Sequence, residues 1–143
     1  MSNQSNKNLV SEFMTEIWNK RHLNLLDDFL HESYRDDSLP DGFPPNQAGL
    51  RSWIQSNSQS FDHLTAIESM VAEDDMVAIR ISFQVKHIGL WRGLSPSGRS
   101  AKVKGFRFFR LGDGKIIQHW AMIDGNALHA QLSKPLQVDE MVK

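Results

Sequence analysis

The chain of 143 residues contains no cysteine, which excludes disulfide scaffolds, thiolate zinc sites and thiol catalysis. It also has little net charge. Sixteen Lys and Arg stand against seventeen Asp and Glu, a formal balance of −1. Recognition of phosphate backbones or anionic membranes needs a clustered positive excess, so neither partner is expected. Long apolar runs are missing too. Nothing approaches the ~20 apolar residues of a membrane span, and the polar stretch from Met1 to Asn8 lacks the apolar segment of a signal peptide. The expected location is the cytoplasm. Tyrosine occurs once, as Tyr34, beside four Trp and eight Phe. Such rings either fill a core or line an apolar ligand pocket.

The length suits one domain, here residues 1–143 with a core over about 9–132 and a loose tail over 133–143. Leu9, Val10, Phe13, Met14, Ile17 and Trp18 recur at helical spacing, and a short second helix carries Leu25, Leu26, Phe29 and Leu30 inward. Asp36 to Pro45 reads as loop, being rich in Asp, Gly and Pro. A third helix is predicted from about Asn46 to Ser58.

The period then changes. Thr65–Ala72, Val77–His87, Ala101–Leu111 and Ile116–Ile123 read as strands. Glu73-Asp74-Asp75 marks a turn, and Gly112-Asp113-Gly114 a hairpin. A short helix over Asn126–Leu132 closes the pattern. Helices followed by an antiparallel meander give an α+β domain with helices on one face of a sheet.

Two blocks carry a resemblance. His87-Ile88-Gly89 with Gly93-Leu94-Ser95-Pro96-Ser97-Gly98-Arg99, and Asp113-Gly114-Lys115-Ile116-Ile117-Gln118-His119-Trp120 followed by Asp124, resemble the matching segments of the SnoaL-like polyketide cyclases. Phe61-Asp62-His63-Leu64 and the terminal Ala127-Leu128-His129-Ala130-Gln131-Leu132 fit the same pattern. The resemblance spans about Gly49 to Leu132. It implies the cone-shaped nuclear transport factor 2-like fold, with N-terminal helices packed on a curved, mostly antiparallel sheet that encloses a pocket. It also implies a cofactor-independent cyclase or isomerase, in which Asp124 serves as general acid/base on a hydrophobic, carbonyl-containing small molecule and drives an aldol-type ring closure. Ester cyclase-like, lyase and isomerase activities belong to the same expectation. A non-catalytic small-molecule binder or a protein-interaction module on the same fold is the alternative.

Asp124 follows the last strand beside Met122 and Ile123. In a dry cavity its carboxyl would be a stronger base, whereas at the start of a helix it would be a plain cap. His87 ends its strand on the buried face, as a donor to a developing enolate oxygen or as a core histidine bonded to the backbone. His119 has parity opposite to Asp124 in an unbroken strand and reads as structural unless a bulge intervenes. Trp53, Trp91, Phe83, Phe106 and Phe108 are candidate pocket walls, and Tyr34 is an oxyanion donor or a surface-loop residue. Arg107, out of phase with Phe106 and Phe108, is expected at solvent or at a subunit interface. The six histidines lack metal-ligand spacing, and there is no nucleotide-binding glycine motif, so neither metal nor cofactor is expected. The polar face Arg80, Ser82, Gln84, Lys86 permits a homo-oligomer, either dimer or tetramer.

Overall fold

The computed structural model describes residues 2–134; the tail expected over 133–143 lies almost wholly outside them. Helix α1 (Asn3–Phe13) is capped by the Ser2 hydroxyl, which accepts from the Ser5 N–H. It continues into a π-helical turn, Met14–Asn19. That wider turn brings Ile17 and Trp18 into the core. It also directs Asn19 at strand β2 (Phe61–Glu73), where its side-chain amide donates to the Thr65 carbonyl at 2.9 Å and accepts from the Thr65 N–H at 2.7 Å. One asparagine thus stands in for a neighbouring strand and pins the end of the helix to the sheet.

A 3₁₀ turn (Leu23–Leu25) and the short α2 (Leu26–Phe29) lead directly into strand β1 (Leu30–Asp36). This strand was not legible in the chain, and it places Tyr34 and Asp36 inside the fold rather than in a surface loop. Helix α3 (Gln47–Ser60), capped by Asn46, runs straight into β2. Strands β3 (Met76–His87), β4 (Ser100–Gly112) and β5 (Lys115–Ile123) and helix α4 (Gly125–Ser133) complete the chain.

The five strands order as β1-β5-β4-β3-β2 in an open sheet. Three pairings are antiparallel, while β1 joins β5 in parallel, with Asp36 opposite His119. The architecture is the α+β cone of the expected fold, with helices on the inner face. Two details set the inner surface. On β4 the odd residues Ala101, Val103, Arg107, Phe109 and Leu111 point inward while the even ones point out. On β5, Arg110 pairs with Gln118 but Leu111 pairs with Ile116, leaving Ile117 as an extra residue. That bulge lets Ile116 and His119, three apart, both face inward.

The apolar interior forms two clusters. One gathers Val10, Phe13, Trp18, Leu50, Ile54 and Phe109 with their neighbours. The other gathers Phe61, Phe83, Val85, Val103, Leu128 and Leu132. A cavity lies at their junction. Among the described residues no helix is long and apolar enough to cross a membrane.

Candidate active site

The cavity has a volume of about 530 Å³. Its walls are Trp53 from α3, Phe61 from β2, Phe83 from β3, Trp91 from the long β3–β4 loop, Ile123 from β5 and Leu128 from α4. Trp18 and Arg107 also line it. The opening is flanked by Ser38, Pro40, Arg92 and Gly125. Arg92 lies with its guanidinium carbon 4.7 Å from the Trp91 ring centroid and donates to the Gly125 carbonyl at 3.3 Å. A side chain at Gly125 would begin 2.6 Å from the Arg92 Nη2, so the glycine allows this arginine to seat at the rim. The mouth therefore carries a positive charge stacked on an aromatic wall.

Behind the cavity runs a chain of polar side chains. Asp36 Oδ2 lies 2.6 Å from His119 Nδ1, and Arg107 Nη1 lies 3.3 Å from His119 Nε2. An arginine can only donate, so Nε2 accepts and the imidazole proton sits on Nδ1, facing the carboxylate. The second carboxylate oxygen, Oδ1, accepts from the Ser38 hydroxyl at 2.5 Å and from the Ser38 N–H at 2.9 Å. Ser38 Oγ accepts in turn from the Ala121 N–H at 2.9 Å, and Tyr34 donates to Oδ2 at 3.5 Å. Asp36, His119, Tyr34 and Arg107 are all buried; two members, Ser38 and Arg107, reach the cavity.

The electrostatics agree with these bonds. Burial by itself raises the Asp36 carboxyl, yet the bonds from His119 and Ser38 outweigh it and hold the group below the ordinary carboxylate value. Burial, aided by the Arg107 charge, lowers His119, so the imidazole is neutral. Burial brings Arg107 down to about 10 against the pull of Asp36, which leaves it charged at neutral pH. Burial and the Asp36 charge push the Tyr34 phenol well above its usual value, fixing it as a donor.

Several residues singled out in the sequence sit at this cavity. Trp53, Trp91 and Phe83 line it, and His119 backs it through Arg107. Others are placed elsewhere. Asp124 is exposed; its carboxylate accepts the Ala127 N–H at 2.9 Å and caps α4, and it does not line the cavity, so the dry surroundings expected of it are absent. Its neighbours Ile123 and Gly125 do line the cavity, which puts Asp124 at the rim. The bulge on β5 precedes His119, so it does not bring His119 and Asp124 together. His87 is buried beside Phe61, held by Ser97 Oγ at 3.0 Å, outside the lining set. Phe106 and Phe108 are not pocket walls: they lie on the outer sheet face, 55% and 48% exposed. Arg107 is the converse case, expected outside and found 3% exposed.

Reading the sequence missed Asp36, Ser38 and Trp18 as site residues. For Arg107 the signal was present: its own parity series on β4, Ala101, Val103, Phe109 and Leu111, is the more apolar one. Asp36 gave no such signal, because Asp-Asp before a Pro- and Gly-rich stretch is ordinary loop composition. Among the described residues no group of three His, Asp or Glu side chains is placed to hold a metal ion.

Comparison with solved structures finds the same fold repeatedly. TsrD from Streptomyces laurentii superposes with a TM-score of 0.82 at 26% identity, over 94% of this chain and 99% of that one. AclR from Streptomyces galilaeus, a candidate hydroxylase, gives 0.77 at 25% identity, over 99% and 88%. A SnoaL-like polyketide cyclase from Agrobacterium tumefaciens gives 0.74 at 19% identity, over 93% and 100%, a likeness of fold. Comparison with curated proteins finds no match. The family model for the SnoaL-like polyketide cyclases matches residues 8–132, nearly the whole described chain, and covers both the cavity walls and the polar chain behind them. The protein belongs to the SnoaL-like polyketide cyclase family.

Proposed function

We propose that the protein is a cyclase-type enzyme that closes a carbon–carbon ring in a hydrophobic, carbonyl-bearing small molecule held in the aromatic cavity. Family membership supports the reaction type, and the observation that carries the mechanism is the contact of Ser38, a cavity residue, with the buried carboxylate of Asp36.

Ring closure needs a proton to leave the carbon beside one carbonyl and a proton to reach the oxygen of the carbonyl attacked. Ser38 Oγ has two lone pairs, one of them taken by the Ala121 N–H. The other accepts the substrate proton while the hydroxyl passes its own proton to Asp36. The resulting enolate attacks the second carbonyl of the same molecule. Asp36 then returns the proton through Ser38 to the new alkoxide, so the step is an isomerisation that consumes nothing. The aromatic walls hold the chain coiled, which replaces a collision by proximity. Asp36 thereby takes the acid/base part first assigned to Asp124.

The test is deuterium exchange at the carbon beside the carbonyl of 2-tetralone, a flat hydrophobic ketone, followed by NMR. The wild-type chain should accelerate exchange over buffer. Asp36→Asn and Ser38→Ala should each lower the enzymatic rate by ~10-fold or more, within the range of general-base effects. Asp124→Asn should change it less than about twofold, since the Asp124 carboxylate caps α4 and moves no proton. Loss of exchange in Asp124→Asn alone would return the role to Asp124, and no acceleration by the wild type would overturn proton transfer in this cavity.

A second copy of the chain is the partner proposed for the outer sheet face. There Phe106 pairs directly with Met122 and Phe108 with Trp120, and Phe106, Phe108 and Met122 are all exposed. Sedimentation of the wild type against a Phe106→Glu, Phe108→Glu double variant checks it. The expected result is a dimer or tetramer reduced to monomer, and a monomeric wild type would rule the interface out.

A further inference from the structure

Two buried donors, both on residues that line the cavity, have no partner among the described residues. Arg107 Nε and Trp18 Nε1 are each without a hydrogen bond among the described residues, although the side chains are only 3% and 2% exposed. An unmade bond of this kind is costly, and buried N–H groups are nearly always paired. Both residues line the cavity, and the Arg107 guanidinium lies over the Trp18 indole with its central carbon 4.3 Å from the ring centroid. Of the guanidinium nitrogens, Nη1 is engaged by His119. The edge bearing Nε is left over, and that edge presents parallel N–H groups that match the two oxygens of a planar anion.

The charges point the same way. The lining includes two arginines, Arg92 and Arg107, and no carboxylate. Asp36, the anion nearest Arg107 in this network, stands behind neutral His119 and spends its oxygens on His119, Ser38 and Tyr34.

We infer that Arg107 and Trp18 together form a recognition site for a planar oxyanion, so that the cavity binds a flat apolar molecule through an ionised two-oxygen group. A carboxylate and the enolate of a 1,3-dicarbonyl share this chemistry. The inference rests on the cavity being the small-molecule site of the proposed function, and it assigns to Arg107 and Trp18 the oxygen on which charge appears when Asp36 takes the proton. His119 and Asp36 are positioning residues for it, since one holds the arginine and the other holds the histidine.

Equilibrium binding tests the inference without any turnover, so its failure is separate from failure of the ring-closure reading. The probes are 2-naphthoate, its neutral isostere 2-naphthamide, and the anion of 1,3-indandione, each titrated calorimetrically. The wild type should prefer 2-naphthoate to 2-naphthamide by ~10-fold or more, as a charge-assisted pair of bonds requires. Trp18→Phe keeps an aromatic ring and loses only the N–H donor, and it should reduce that preference by about threefold or more. Arg107→Gln should abolish the preference. Binding of 2-naphthoate alone supports carboxylates as the ligand source, and binding of the indandione anion alone supports enolates. Equal binding of 2-naphthoate and 2-naphthamide, a preference unchanged in Trp18→Phe, or no binding of either anion would overturn the site.

Discussion

Two aspartates stand beside the cavity in opposite surroundings, one buried and one exposed. Asp36 lies buried behind the cavity wall, where it accepts from His119, from both the backbone and hydroxyl of Ser38, and from Tyr34. Asp124 stands at the rim and accepts one N–H from the first turn of α4 while facing solvent. The difference teaches that the same side chain is committed by its surroundings. Removed from water, Asp36 fixes the tautomer of a histidine and the orientation of an arginine. Left in water, Asp124 fixes the start of a helix.

The largest expected effect breaks the buried aspartate. Asp36→Ala leaves His119 Nδ1–H and the Ser38 hydroxyl without an acceptor and leaves the Arg107 charge uncompensated. Loss of one member of such a buried charged network costs about 3–5 kcal/mol, to be read from the midpoint of denaturant unfolding.

The next effect concerns acid. His63 packs against Trp18, with ring centroids 6.3 Å apart, and burial lowers its pKa to about 4. The unfolded chain binds this proton near the ordinary value of 6.5, whereas the folded chain refuses it until about 4. Stability is therefore full above pH 6.5 and falls as the pH drops from there to 4, by up to about 3 kcal/mol. Lowered His119 adds loss of the same sign in this window, and Asp36 adds its share only below about 3.8. Unfolding measured across this window should show the decline, and His63→Phe should flatten most of it. An equally steep decline in His63→Phe would assign the acid sensitivity to the Asp36–His119 pair instead.

The smallest effect is at the rim. Asp124→Ala removes a helix cap and should cost about 1 kcal/mol, measurable by the same unfolding experiment. A loss comparable to that of Asp36→Ala would erase the contrast between the two aspartates.

The outline of the fold was legible because period and turn chemistry are local. Alternating residues marked β3, and Gly112-Asp113-Gly114 marked the β4–β5 hairpin, where Asp113 and Gly114 both take positive φ. The aromatic walls Trp53 and Phe83 were legible as well, being large apolar residues on elements with a buried face, and so was Trp91, a large apolar residue in a glycine-rich loop where it needs a partner. The polar chain behind them was not. It depends on β1 adding itself in parallel beside β5, a pairing between segments more than eighty residues apart that places Asp36 opposite His119. Trp18 was hidden for a different reason: a ring at helical spacing reads as core, and only the missing partner for its N–H distinguishes it.

The extra residue at Ile117 gives β5 an uneven tolerance to changes in length. Deleting Ile117 or Gln118 would turn the bulge into regular strand and keep His119 on the face of Ile116. Deleting a residue between His119 and Ile123 would instead carry the end of the strand through the sheet, exchanging the cavity-facing side chains for outward ones. Homologous chains that differ by one residue in this strand are therefore expected to differ at 117–118, the one place where the alignment can gap without dismantling the cavity.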